Sequence, residues 1–185
     1  MYFLFESFVV FTGNFRSCSK SCHFYIQSQF KYDSAFWSDK NEFQPDAANG
    51  LHDSRETKTA AYWLTPFSKI CLGMKTDQER FIEISYSGSS LYSVISSGNY
   101  TSTNVSKATW LSLVSGGLQK YCNKQGFNVQ VKNNRKARIG IYGNNENDCN
   151  TCDSWITFGD MWSGCSYRNW YRSVKDVSTC FILVK

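Results

Sequence analysis

Several runs along the chain alternate apolar and polar residues, the two-residue repeat of a strand with one buried face. In RFIEISY, Ile82, Ile84 and Tyr86 share a face; in GFNVQVK it is Phe127, Val129 and Val131; in KARIGIYG it is Ala137, Ile139 and Ile141. Asn133-Asn134 separates the last two, so they are expected to form a hairpin. Phe24, Ile26, Ser28 and Phe30 alternate within HFYIQSQFKY, and FSKICLGMK, SWITFG and CFILVK read as further strands. Two stretches carry a helical repeat instead. Leu91, Val94 and Ile95 follow a Ser89 or Ser90 cap and precede Gly98; Trp110, Leu113 and Val114 follow a Ser106 cap and precede Gly116. The segment 33–60, with Pro45, Asn49-Gly50 and many polar residues, reads as a long surface loop. Strands dominate and the helices cluster mid-chain, which predicts an α+β fold with a mainly antiparallel sheet and short helices.

Composition supports one folded domain. The chain has 185 residues, 42% hydrophobic and 19% charged, so it can bury a core and is not a disordered polyelectrolyte. Aromatics reach 17%, a bias common in extracellular β-rich domains and in ligand-binding surfaces. The net charge of +5 is mild, and the densest basic run, KNNRKAR, is short; both argue against a nucleic-acid binder and for a solvated turn. Eight cysteines point to an oxidising compartment and a disulfide framework that includes Cys71 and Cys122. Sequons at Asn99 and Asn104 fit a glycosylated surface. The first residues, MYFLFESFVVFTG, are apolar, but Glu6 interrupts them and no Lys or Arg precedes them, a poor signal peptide. No later run is long enough to span a membrane.

The stretch NNENDCNTCDS, residues 144–154, concentrates the candidate chemistry: three carboxylates, four asparagines and two cysteines. Zinc is disfavoured because no second compact knuckle accompanies Cys149 and Cys152. Thioredoxin-like chemistry is disfavoured because Asp148 and Asp153 flank the CxxC and raise a thiol's pKa. The histidines, His23 and His52, supply no hydrolase triad, and no sequence feature combines nucleophile, base and orienting group, so no enzyme is expected. Calcium, which prefers carboxylate, amide and carbonyl oxygens, competes with a metal-free polar loop. Cys152 and Cys165 flank DSWITFGDMWSG; closing that loop would stabilise by about 3 kcal/mol, but Cys149 could pair with Cys165 instead.

The blocks YDSAFWSDKNEF, ETKTAAYWLTPFSKICLGMK, SSLYSVISSGNY, YCNKQGFNV and ARIGIYGNNENDC…CDSWITFG resemble secreted cnidarian fibrinogen-C-like proteins of the skeletal organic matrix type, distantly similar to fibrinogen C-terminal domains and intelectins. The resemblance spans about Tyr32 to Gly159. It implies a disulfide-bonded fibrinogen-like domain over residues 32–185, with 1–31 a divergent or truncated amino-terminal segment that lacks the family's glycine-rich opening strand. It implies calcium held by Asn145, Glu146, Asn147, Asp148 and Asp153, a Cys152–Cys165 disulfide, and a ligand pocket flanked by Tyr167, Trp170 and Tyr171. The intelectin-type calcium histidine has no counterpart here. The expected function is a secreted, calcium-dependent, lectin-like module for glycans or matrix components, and the alternative is a structural or adhesive matrix protein without a sugar site. A homo-oligomer is compatible with either.

Overall fold

The structure is a computed structural model that describes residues 29–49, 55–132, 134–169 and 179–185. It is a mixed α/β domain of two antiparallel sheets and three short helices. A three-stranded sheet has the order β2-β1-β8, formed by β1 (Phe67–Lys75), β2 (Glu79–Gly88) and β8 (Thr179–Val184). A five-stranded sheet runs β3-β4-β5-β6-β7, formed by β3 (Thr101–Ser102), β4 (Tyr121–Val131), β5 (Arg135–Asn144), β6 (Ser154–Asp160) and β7 (Cys165–Arg168). The helices are α1 (Ala61–Leu64), α2 (Leu91–Ile95) and α3 (Lys107–Leu111).

The alternating runs become strands because they have a core to face. Ile82 and Ile84 of β2, Ile70, Leu72 and Met74 of β1, and Ile182 and Val184 of β8 join Phe127, Ile139, Ile141, Ile156 and Phe158 of the larger sheet in one buried cluster. The hairpin expected around Asn133-Asn134 is present, with Val131 opposite Arg135 and Phe127 opposite Ile139. Ser90 caps α2, accepting from Ser93 N in a reciprocal capping box, and Ser106 caps α3, accepting from Thr109 N. The second helix is shorter than its pattern: it ends at Leu111 rather than near Gly116, while Leu113 and Val114 still reach the core from the turn that follows.

Three elements were not legible. The strand β3 is two residues long and exists through its contact with β4 at Gly126, where φ is +138° and a Cβ would meet Thr101 O at 2.1 Å. The helix α1 lies between the 33–60 segment and the FSKICLGMK strand, a stretch with no expected element. The strand β7 pairs with β6 through Phe158–Cys165 and Trp155–Arg168. The predicted strand around Phe30 falls largely outside the described residues; Phe30 itself lies in a turn and is buried. The rest of the polar 33–60 region that is described stays irregular, with 3-10 turns at Ala35–Trp37 and Pro45–Asn49.

A polar tie fastens the amino-terminal turns to the larger sheet. Tyr32 N donates to Asp160 O at 2.7 Å. The buried Arg138 guanidinium donates to Tyr32 O at 2.8 Å, Ile95 O at 3.2 Å and Asn128 Oδ1 at 3.1 Å, and stacks 4.3 Å from the Tyr32 ring. Asn128, at φ 48°, donates in turn to Ile95 O and Asn99 O. Arg138→Met keeps the side-chain volume but strands these acceptors, so urea unfolding should show a loss of about 2 kcal/mol.

Adjacent residues on β5 and β6 face opposite ways, so Ile141 and Ile156 enter the main core while Tyr142 and Trp155 enter a second cluster on the other face. That smaller cluster also holds Val129, Val131, Ala137 and Cys152, with Cys122 and Cys149 packed against it. It forms the floor of the candidate site.

Candidate functional site

The run Asn144–Asp153 leaves the end of β5 and returns to β6, closed by Asp153 N donating to Gly143 O at 3.2 Å. Its root is a buried asparagine. The Asn144 amide donates to Asp148 O and Asp148 Oδ1, both at 3.1 Å, and its own oxygen accepts from Asn145 N at 3.0 Å. Asp148 Oδ1 also accepts from Asn150 N, while Glu146 accepts from the Asn145 amide at 2.7 Å and the Thr151 hydroxyl at 3.2 Å. Among the described residues Glu146, Asp148 and Asp153 have no Lys or Arg partner.

Below this loop lies Gln119. Its backbone N–H donates to the buried Ser154 hydroxyl at 2.9 Å, and its amide donates to Asn145 Oδ1 at 3.4 Å. Its amide oxygen is buried and has no hydrogen-bond partner. The sequence offered no signal for Gln119, which lies 26 residues from Asn145 and reaches it only through the β4–β5 and β5–β6 pairing.

The predicted residues therefore divide. Asn145, Glu146, Asn147 and Asp148 are exposed on one loop, and Asp153 is half-buried at its end. The carboxylates do not converge; among the described residues, Cys122, Cys149 and Cys152 are the group of three potential ligands within mutual reach. Tyr167 is not on the surface. It is 0% exposed, packs in the main core, and directs its hydroxyl to Gly117 O at 3.4 Å. Burial pushes its pKa up, with a smaller opposing effect from the Asn169 hydrogen bond. Trp170 and Tyr171 lie outside the described residues.

The disulfides also correct the expectation. Cys165 pairs with Cys180, joining β7 of the larger sheet to β8 of the smaller one, and Cys122 pairs with Cys149. The Cys152–Cys165 bond implied by the resemblance is not formed; Cys152 is a free, buried thiol. Strand geometry decides this: Cys165 lies opposite Phe158 on β7, whereas Cys152 precedes β6 and belongs to the second cluster. Cys71 is disulfide-bonded too.

A surface that the sequence reading missed adjoins the loop. The Arg135 guanidinium lies 4.2 Å from the Trp155 ring and 5.2 Å from Trp162, and Arg168 lies 5.2 Å from Trp155. Among the described residues neither guanidinium has a carboxylate partner. Trp162 is 59% exposed at the tip of the β6–β7 turn. Asp160, only 2% exposed, holds that turn by accepting from Trp162 N and Ser163 N, each at 2.7 Å. KNNRKAR reads as a solvated turn; the side-chain contact of Arg135 with Trp155, whose strand partners are Tyr142 and Arg168, has no local sequence signal.

Asn99 and Asn104 are both exposed, on either side of β3. No described helix is long and apolar enough to cross a membrane. The fold and the disulfides define a disulfide-bonded antiparallel α/β domain. Comparison with protein-family models, curated proteins and solved structures gives no match.

Proposed function

We propose that this chain is a secreted carbohydrate-binding module of the fibrinogen-C-like type, in which calcium bound at the 144–153 loop helps hold the saccharide. The observation that carries this reading is the buried, unpartnered Gln119 oxygen beside a loop whose carboxylates have no cation. Gln119 Oε1, Asn145 Oδ1 and the Glu146 and Asp148 carboxylates are hard oxygen donors, the chemistry calcium selects; the carboxylates do not converge in the loop as it stands, so binding would draw them together. Calcium supplies coordination sites that sugar hydroxyls can take in place of water. Trp162, with Arg135 against it, offers an apolar ring and a charged donor next to that loop. The disulfides and the exposed sequons fit an extracellular setting.

Calorimetric titration of calcium tests the metal, and glycan binding with and without EDTA tests the coupling. Glu146→Ala with Asp148→Ala should lower calcium affinity at least tenfold, and Gln119→Ala should lower it severalfold. Glycan binding that EDTA leaves unchanged would sink the calcium-dependent form.

One observation favours a second reading, a structural or adhesive matrix component. The loop's amides and Thr151 already satisfy Glu146 and Asp148 without a metal. On this reading the domain has no measurable saccharide affinity, and calcium raises the melting temperature at most.

A further inference from the structure

We propose that Cys152 and the Cys122–Cys149 disulfide form a thiol–disulfide exchange site, in which the bond to Cys122 migrates from Cys149 to Cys152 and leaves Cys149 open to modification by a low-molecular-weight disulfide. The three sulfurs lie within 4.8 Å of one another. Cys152 Sγ is 3.5 Å from Cys122 Sγ, the contact an attacking thiolate needs. Cys152 is 1% exposed, whereas Cys149 is half-buried on the loop. A small external disulfide therefore reaches Cys152 poorly and a freed Cys149 more readily.

The step is balanced without an outside oxidant. Cys152 loses its proton to solvent, its thiolate attacks Cys122 Sγ, the Cys122–Cys149 bond breaks as the Cys122–Cys152 bond forms, and Cys149 leaves as a thiolate that takes up a proton. One disulfide and one thiol are present before and after. The freed Cys149 thiolate then attacks a disulfide such as oxidised glutathione, forming a mixed disulfide and releasing one glutathione thiolate.

The consequence falls on the loop. Cys149 anchors its middle, within three residues of Glu146; Cys152 sits at its end, beside Asp153. Migration of the bond removes the covalent anchor from the carboxylate-bearing part. The environment makes the exchange slow at neutral pH. Burial first, then the Asp148 and Asp153 charges, push the Cys152 thiol up to about 11, against the lowering effects of its own backbone hydrogen bond and Arg135. The Tyr142 hydroxyl, whose own pKa burial raises, also faces this thiol.

The test uses the full chain. In Cys149→Ser treated with oxidised glutathione as the oxidant, peptide mapping should find a Cys122–Cys152 disulfide; Cys122 and Cys152 both remaining as thiols, while Cys165–Cys180 forms, would overturn the proposal. The wild-type protein with oxidised glutathione at pH 9 should gain a glutathionyl adduct on the Cys149 peptide, and Cys152→Ser should abolish it. An adduct on Cys152, no adduct at Cys149, or an adduct at Cys149 that persists in Cys152→Ser would each overturn it. The glutathione arm decides the matter if Cys149→Ser fails to fold.

Discussion

Trp110→Ala is expected to destabilise the domain by about 4 kcal/mol, the cost of emptying a large, closed aromatic site. Trp110 is fully buried in the main core on α3, a helix too short to be stable without that anchor. Its indole N–H donates to Gln125 Oε1, and the same oxygen accepts from the Thr103 hydroxyl at 3.2 Å. The Gln125 side-chain amide donates to Val105 O, and the Gln125 backbone carbonyl accepts from the Tyr100 hydroxyl. Gln125 thus ties the segment between α2 and α3, which carries both sequons, to β4, in addition to the β3–β4 pairing and the Asn128–Asn99 hydrogen bond. Urea unfolding should show the loss, and the melting temperature should fall by about 10 °C. Trp110→Phe keeps most of the apolar contact and should cost about half as much; equal losses would place the stability in the indole hydrogen bond rather than in packing.

Asp39→Ala should cost about 3 kcal/mol, because it leaves a buried ammonium without its counter-charge. Lys58 is 1% exposed and its ammonium pairs with Asp39 Oδ1, with a further bond to Asp39 O at 3.0 Å. Three rings enclose it: Tyr62 at 5.1 Å, Trp63 at 5.6 Å and Phe36 at 5.9 Å. Burial lowers the Lys58 pKa, and the aspartate offsets that only in part. On Asp39, burial raises the pKa, but the hydrogen bonds from Lys58 and from Asn41 N outweigh it and the net shift is downward. A carboxylate lowered in the folded state contributes stability above its unfolded pKa and loses it as pH falls through the folded value. Wild-type stability should therefore drop below about pH 4, and Asp39→Ala should flatten that limb. Lys58→Met removes the charge together with its need for a partner and should stay within about 1.5 kcal/mol of wild type. If Lys58→Met proves as damaging as Asp39→Ala, the ion pair itself, rather than the uncompensated charge, stabilises this region.

Lys58 shows why part of the molecule escaped the sequence. It lies in a stretch that reads as an exposed polar loop, and in composition it is one. Its burial follows from α1 and the Phe36–Phe43 ring pair, at 4.5 Å, closing around it. Gln119 and Arg135 escaped for the same reason: a single polar side chain has no periodicity, and its neighbour is chosen by the tertiary fold. Tyr167 and Cys152 err the other way. The family resemblance implies a ligand pocket flanked by Tyr167 and a Cys152–Cys165 disulfide. The pairing of β7 with β6 instead turns Tyr167 into the core and places Cys165 within reach of Cys180.

By itself the sequence determined where the strands of strongest alternation lie, the hairpin at Asn133-Asn134, the serine caps of two helices, and the position of the polar loop. These depend on neighbours within about ten residues, where side-chain periodicity and capping chemistry operate. The faces of β4 and β5 were not among them, since Val129, Val131 and Ala137 join the second cluster while Phe127, Ile139 and Ile141 join the main core. Tertiary structure alone decided which cysteines meet, that a glutamine oxygen is left unpaired beneath Asn145, and that two arginines bracket Trp155. Each of those is a contact between segments far apart in the chain, set by sheet order and by the two faces of one sheet, and no local pattern encodes it.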